Sequence, residues 1–365
     1  MNIAIIDADI IGRKKHRFPN LASMKLSAYH KSIGDKVSLV TNYNNIDFYD
    51  KCYISKVFTA TKVPEDIMNK PNVVCGGTGF YYDKAKPLPY EIEHIMPDYH
   101  LYDKWIDEMI RGGAKERHFK IYKDYSMGFL TRGCFRQCKF CINKNCKRCI
   151  KHSNIKEFLD SSRKKICLLD DNFFACPEWK SLIKGVKETN KPFRFHQGLD
   201  ERLLTEEKCA ELSSWKYDGE FLFAFDDIND HDLIEKKLKI LRKYIKKGCK
   251  FYVLCGYDRN EMYNDAFWEE DIIGIFQRIQ ILGEYKCLPY IMRHSNYEMS
   301  PYRGIYIAIA MWCNTPSMFK TQSFEGFCKK YDTYVQRKSK ILEYYELAKS
   351  IPNINKYLHQ CYFRR

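Results

Sequence analysis

No apolar run in this sequence is long enough to cross a membrane. The longest, Gly304–Cys313, is about half of what a spanning helix needs. The apolar opening Ile3–Ile6 breaks at Asp7 and Asp9, so it does not read as a secretory signal. There is no internal repeat and no low-complexity tract. Cysteine is not crowded into a small framework: 16 residues are scattered over 365, which in a cytosolic chain reads as free thiols plus a metal site. Acidic residues are in deficit, 46 against 61 Lys and Arg, for a net charge of +15. A soluble, cytoplasmic protein with no membrane contact is expected. Its charge would draw a nucleic acid, an acidic peptide or a phosphorylated metabolite. Lysines spread over solvated helix faces, as at Lys236-Lys237 and Lys246-Lys247, would give the same sum.

What is present is an alternation of strands and helices, hence an α/β fold. Asn2–Ala8 is a continuous apolar run, as in a buried parallel strand. A helix over Leu21–Lys31 with Gly34 as its C-cap follows, then strands at Val37–Val40, Cys52–Phe58 and Val73–Cys75. These predict a small Rossmann-like domain over residues 1–110. The stretch from about residue 100 to 125 carries Gly112-Gly113 and many charges, and reads as a linker. A second alternation covers residues 125–295. Its strands are Ser126–Gly133, Ile166–Asn172, Phe193–Gly198, Glu220–Asp226, Phe251–Gly256 and Cys287–Arg293. Helices are expected at Trp179–Glu188, Thr205–Trp215 and His231–Lys247. Residues 296–365 read as a helical C-terminal extension. It includes a helix at Ile305–Cys313 and a basic one at Lys329–Ala348 bearing Tyr331, Tyr334, Tyr344 and Tyr345. Those tyrosines either pack inward or stack on RNA.

The chemistry centres on Cys134, Cys138 and Cys141, at C-x3-C-x2-C spacing directly after an apolar strand. At this cysteine frequency roughly 0.03 such matches are expected by accident. Three ligands differ from the four of a closed zinc site or an ordinary four-iron cluster, and so leave one metal position open. A further pair, Cys146 and Cys149, lies in the basic run that follows. It consists of spare thiols, serves redox or sulfur relay, or belongs to a second site. Such a site, zinc or an auxiliary iron–sulfur cluster, needs two more ligands from Cys167, Cys176, Cys313, Cys328 or Cys361.

With Phe140 before the third cysteine, the motif resembles that of the radical S-adenosylmethionine (radical SAM) enzymes, C-x3-C-x-aromatic-C on the loop after the first barrel strand. The resemblance implies a partial (β/α)6 TIM-like barrel over residues 125–295. It implies a 4Fe–4S cluster on Cys134, Cys138 and Cys141, with S-adenosylmethionine on its open iron, reductively cleaved to a 5′-deoxyadenosyl radical for hydrogen abstraction. An external electron donor of flavodoxin or ferredoxin type goes with it. The substrate, RNA, tRNA or a peptide, is not read from the sequence. Asp171, with Asp170 beside it, would accept from the cofactor's ammonium. Gln197, in the polar stretch His196–Arg202, and Asp226 would face ribose or substrate. Leu254 and Gly256 match the centre of a strand motif that runs along adenine, though Tyr252 and Arg259 depart from its ends. The front domain resembles a reduced cobalamin-binding domain. Asp9 stands where the cobalt-ligating histidine would be, so cobalamin is not expected. The rival reading is a non-catalytic, zinc-stabilised nucleic-acid-binding protein using Cys146 or Cys149 as fourth ligand. Acidic strand ends argue against it.

Overall fold

The computed structural model describes residues 1–13, 15–144, 146–334 and 340–363, the side chains of 332–334 apart. In β1 (Asn2–Asp7) every residue after the first is buried, as in a parallel strand covered on both faces. Parallel pairing with β2 (Lys36–Leu39), β3 (Lys51–Ser55) and β4 (Val73–Gly76) gives the order β2-β1-β3-β4. Ile3 and Ile5 join one core with Met24 and Trp105, while Ala4 and Ile6 join another with Ile54 and Ile67. Helix α1 (Leu21–Ser32) begins at Asn20, whose side chain accepts from Ser23 N–H.

The expected linker is core instead. Asp103–Arg111 forms helix α2, and Tyr99, Tyr102, Trp105, Ile106, Phe119 and Tyr122 are buried. Asp103, Lys104, Asp107 and Glu108 occupy the exposed face of the same helix. Charge was abundant there, but the spacing of the aromatics decides the burial.

The chain divides into two compact units, Met1–His196 and Gln197–Arg365. This boundary lies inside the expected 125–295 segment, and residues 296–365 fall in the second unit. The first unit continues with β5 (Tyr125–Gly128) and a short antiparallel hairpin, β6 (Thr131–Arg132) with β7 (Ile150–Lys151). Then come β8 (Lys165–Leu168), helix α3 (Trp179–Glu188) and β9 (Phe193–Phe195), in a parallel sheet of order β5-β8-β9. The second unit runs through α4 (Glu206–Ser213), β10 (Phe221–Ala224), α5 (His231–Tyr244), β11 (Cys249–Cys255), α6 (Asp265–Glu284) and β12 (Cys287–Arg293). Its three strands are also parallel, in the order β10-β11-β12.

All six expected strands of this region are present, but the first five end earlier than expected, the fifth by a single residue. The physical reason is visible after β8, where acidic side chains turn back to accept backbone N–H groups and the chain leaves the ladder. Helix α7 (Arg303–Cys313) is tied to β12 by Asn314, which accepts from Ile291 N–H at 2.7 Å and donates to its carbonyl at 3.1 Å. The expected basic helix corresponds to α8 (Phe324–Tyr334) and α9 (Ile341–Lys349), with residues 335–339 and the Tyr334 side chain outside the described set. Its tyrosines pack: Tyr345 is buried and donates to Glu325, Tyr344 lies against Gly304, and Tyr331 meets the Phe327 ring. No described helix is long and apolar enough to cross a membrane.

Candidate metal centre at the cysteine loop

The hairpin β6–β7 carries the cysteine loop. Cys134 N–H donates to the Cys146 carbonyl at 3.1 Å and closes its base. Within it, Cys141 N–H donates to the Cys138 carbonyl and the Gln137 amide to the Cys134 carbonyl. Cys134, Cys138, Phe140 and Cys141 are all half-buried. Backbone and amide N–H groups point at sulfur: Arg136 N and Asn172 Nδ2 at Cys134 Sγ (3.5 and 3.4 Å), and Asn143 N at Cys141 Sγ (3.4 Å). Such donors stabilise thiolate and tune a bound metal. Burial, with the neighbouring Cys134 and Asp171 adding to it, holds the Cys141 thiol above its ordinary range. Among the described residues no three His, Cys, Asp or Glu side chains are drawn close enough to hold a metal ion. The three thiols thus share one short loop, with their sulfurs not gathered to one point.

Three consecutive residues after β8 hold this loop in place. Asp170, fully buried, accepts from Thr131 N and Oγ1, both at 2.7 Å, and from Leu130 N at 3.3 Å. Burial pushes its carboxyl up to about 7 against these hydrogen bonds. Asp171 accepts from Gly133 N at 2.8 Å through one oxygen and from Asn143 Nδ2 at 2.7 Å through the other. It therefore joins the residue before the first cysteine to a residue just past the third. Asn172 supplies the bond to Cys134 already described. The sequence pointed to both acids, but as cofactor contacts. Their partners Thr131 and Asn143 carried no signal of their own.

Cys149 is buried and lies beside Cys176, so of the five proposed partners for the second pair the structure brings this one near. Burial pushes the two thiols up to about 12 and about 11. Cys146 donates instead to the Arg148 carbonyl at 3.0 Å.

The second unit gathers Asp226, Leu254 and Gly256 at the carboxyl ends of β10 and β11, around an arginine the sequence reading missed. Arg278, buried in α6, donates through Nη1 to the carbonyls of Phe225, Asp226 and Leu254 at 3.1, 2.9 and 2.7 Å. Its other end faces Asp271 at 3.7 Å, which accepts from Gly256 N and the Tyr306 hydroxyl. A lone cation within an apolar helix was the available signal. Burial raises the Asp226 carboxyl, opposed by Arg278 and Arg202. Leu254 is half-buried, and Gly256, at φ +71°, faces Tyr297 so closely that a Cβ would lie 2.7 Å from it. Gln197 is exposed.

Glu201 belongs to the polar stretch His196–Arg202. It is 2 % exposed, accepts from Ala224 N at 3.0 Å, and is pushed up to about 8, chiefly by burial. A raised folded-state value means that the folded protein holds this proton more tightly than the unfolded chain. The stabilisation is therefore complete below about pH 4.5 and is lost as pH rises through 8. Glu201→Gln should flatten thermal stability over that window, removing a slope of up to about 1.4 kcal/mol per pH unit. An unchanged melting-temperature profile against pH would refute the assignment.

No family model matches this chain, and no curated protein matches it. Among solved structures it is similar to the cobalamin-dependent S-adenosylmethionine radical enzyme OxsB with aqua-cobalamin and S-adenosylmethionine bound. That match has 12% identity and a TM-score of 0.37, covering 98% of this chain and 56% of the other. The apo, selenomethionine-labelled form of OxsB gives 12% identity and a TM-score of 0.34 with the same coverage. The chain thus spans about half the length of either structure.

Proposed function

We propose that this chain is a radical S-adenosylmethionine enzyme, with Cys134, Cys138 and Cys141 as ligands of a 4Fe–4S cluster. The supporting observation is the loop itself: three thiols at the required spacing, pinned by consecutive residues after β8 and provided with N–H donors to sulfur. When bound, the cluster and S-adenosylmethionine supply a 5′-deoxyadenosyl radical for hydrogen abstraction from the substrate. The chain's own residues ligate, orient and shield. Arg136, Asn143 and Asn172 stabilise charge on sulfur, and Asp170 fixes the exit of the loop from its strand.

In this reading residues 125–295 make up a partial (β/α)6 barrel. Leu254 and Gly256 line the adenine, and Gln197 and Asp226 face ribose or substrate. Cobalamin is not part of this reading: Asp9, at the position of the cobalt-ligating histidine, accepts from Val57 N–H and the Thr61 hydroxyl. An external flavodoxin- or ferredoxin-type donor and a cytoplasmic setting complete the proposal.

Anaerobic reconstitution tests it. The protein should turn brown, with about four iron and four sulfide per chain, and form 5′-deoxyadenosine only with a reductant. Replacing any of the three cysteines by alanine should abolish both. A colourless protein holding one zinc through those cysteines would instead favour the nucleic-acid-binding alternative. Asp171→Asn divides the two roles of that residue. Full iron with cofactor affinity down roughly ten- to a hundredfold marks an ammonium contact, whereas iron loss marks a loop brace.

A further inference from the structure

Two cysteines of the second unit face each other in neighbouring strands. Cys249 opens β11, Cys287 opens β12, and the parallel register pairs them directly. Neighbouring strands lie about 4.8 Å apart, inside the range of roughly 4.4–6.8 Å that a disulfide spans between Cα atoms. Both thiols are free and fully buried. A buried cysteine is ordinarily a small apolar side chain. Cys313 and Cys328 fit that role, since burial raises the first and pushes the second up to about 12.

Cys287 differs, because the Arg242 guanidinium of α5 donates to its sulfur through Nη2 at 3.2 Å. That guanidinium is fixed by the carbonyls of Tyr285 (2.7 Å), Ile245 (3.1 Å), Lys247 (2.9 Å) and Lys286 (2.9 Å). Among the described residues it has no carboxylate partner. A fixed cation with no acid to neutralise it favours thiolate on the sulfur it touches. The hydrogen bond from Cys249, with Arg242 adding to it, holds the Cys287 thiol below its ordinary range against burial. Cys249 is raised by the same hydrogen bond and by burial, so it keeps its proton.

We propose that Cys287 and Cys249 form a peroxide-reactive dithiol that closes to a disulfide between β11 and β12. Cys287 Sγ attacks one peroxide oxygen, the O–O bond breaks, and hydroxide leaves. Cys249 Sγ then attacks the sulfenic acid on Cys287, the S–O bond breaks, and water leaves with the Cys249 proton. The hydroxide takes up the proton that Cys287 had released. Two thiols and one peroxide thus give one disulfide and two waters, each sulfur losing one electron. Burial selects the oxidant. Lys246, Lys247 and Gly248 before Cys249, and Lys286 before Cys287, are exposed, so the pair lies one residue beneath the surface. A peroxide of nearly water size passes a brief opening there, and a bulky disulfide reagent does not. Leu254 lies roughly 17 Å further along β11, so this dithiol is a separate site from the residues at the carboxyl ends.

The test uses the full chain, metal-free and reduced, with a chelator present and hydrogen peroxide as the probe. Remaining thiols are alkylated under denaturing conditions, and the digest is mapped by mass spectrometry. The Cys249 and Cys287 peptides should appear joined, separate again with dithiothreitol, and react roughly tenfold faster than Cys313 or Cys328. Cys249→Ser should halt at a sulfenic acid on Cys287, captured by dimedone. Cys287→Ser should leave Cys249 as slow as Cys328. Arg242→Gln should slow the closure several-fold and Arg242→Lys should recover part of the rate. Should loss of the carbonyl contacts of Arg242 disturb folding, the wild-type map and the two serine variants still decide. Cys249 and Cys287 still reduced once Cys313 or Cys328 has reacted would overturn the proposal. Equal dimedone capture in the two serine variants would do the same, as would disulfides to other cysteines in place of this one.

Discussion

Asp170→Ala is expected to destabilise the first unit by about 3–5 kcal/mol and to release the cysteine loop from its strand. The carboxylate is fully buried and serves three donors, Leu130 N, Thr131 N and the Thr131 hydroxyl. Leu130 and Thr131 are themselves fully buried, so water cannot replace the lost acceptor. Each donor left without a partner costs about 1–3 kcal/mol, against a margin of about 5–15 kcal/mol for a whole domain. Asp170→Asn should recover more than half of the loss. It keeps the shape and one acceptor oxygen, and burial already pushes the acid up to about 7, so loss of the charge is a small change near neutral pH. Urea melting together with hydrogen exchange at Leu130 and Thr131 reads both effects. An asparagine variant no better than alanine would show that the negative charge, and not the acceptor, holds the loop.

The second large effect is expected from Gly133→Ala. Gly133 sits at φ +93°, and an added Cβ would collide with the Arg148 carbonyl oxygen and lie 2.7 Å from Cys146 Sγ. Backbone strain alone amounts to about 1–3 kcal/mol, and the collision is with main chain that cannot rotate away. The same residue donates to Asp171, so the strain acts on the brace as well. Iron retention after reconstitution should fall several-fold, far more than the change in global melting temperature implies. Full iron content with unaltered melting would mean that the loop is softer than its contacts indicate.

Some elements were legible because one local signal sufficed. Trp179–Glu188 and Cys287–Arg293 occupy their expected bounds, since helical and strand periodicities there run uninterrupted between clear breaks. The cysteine motif was legible for the same reason, three ligand-type residues on one short loop. The aromatic core at residues 99–122 was not, because charges between the aromatics hide a pattern that only packing reveals. Nor was the role of Asp171 as a brace. Gly133 and Asn143 lie 38 and 28 residues away, so the bonds exist only once β8 lies beside β5. The β6–β7 hairpin has two residues per strand, too few for an alternating pattern to register.

The position of that brace bears on how the loop could be moved or shuffled. Asp170, Asp171 and Asn172 lie outside the interval they secure. A graft of residues 131–151 alone into another scaffold would carry the ligands and leave their fastenings behind. The transferable module is discontinuous: the hairpin together with the tripeptide after the neighbouring strand. Recombination between related chains would keep the centre intact only when its crossover points spare both pieces.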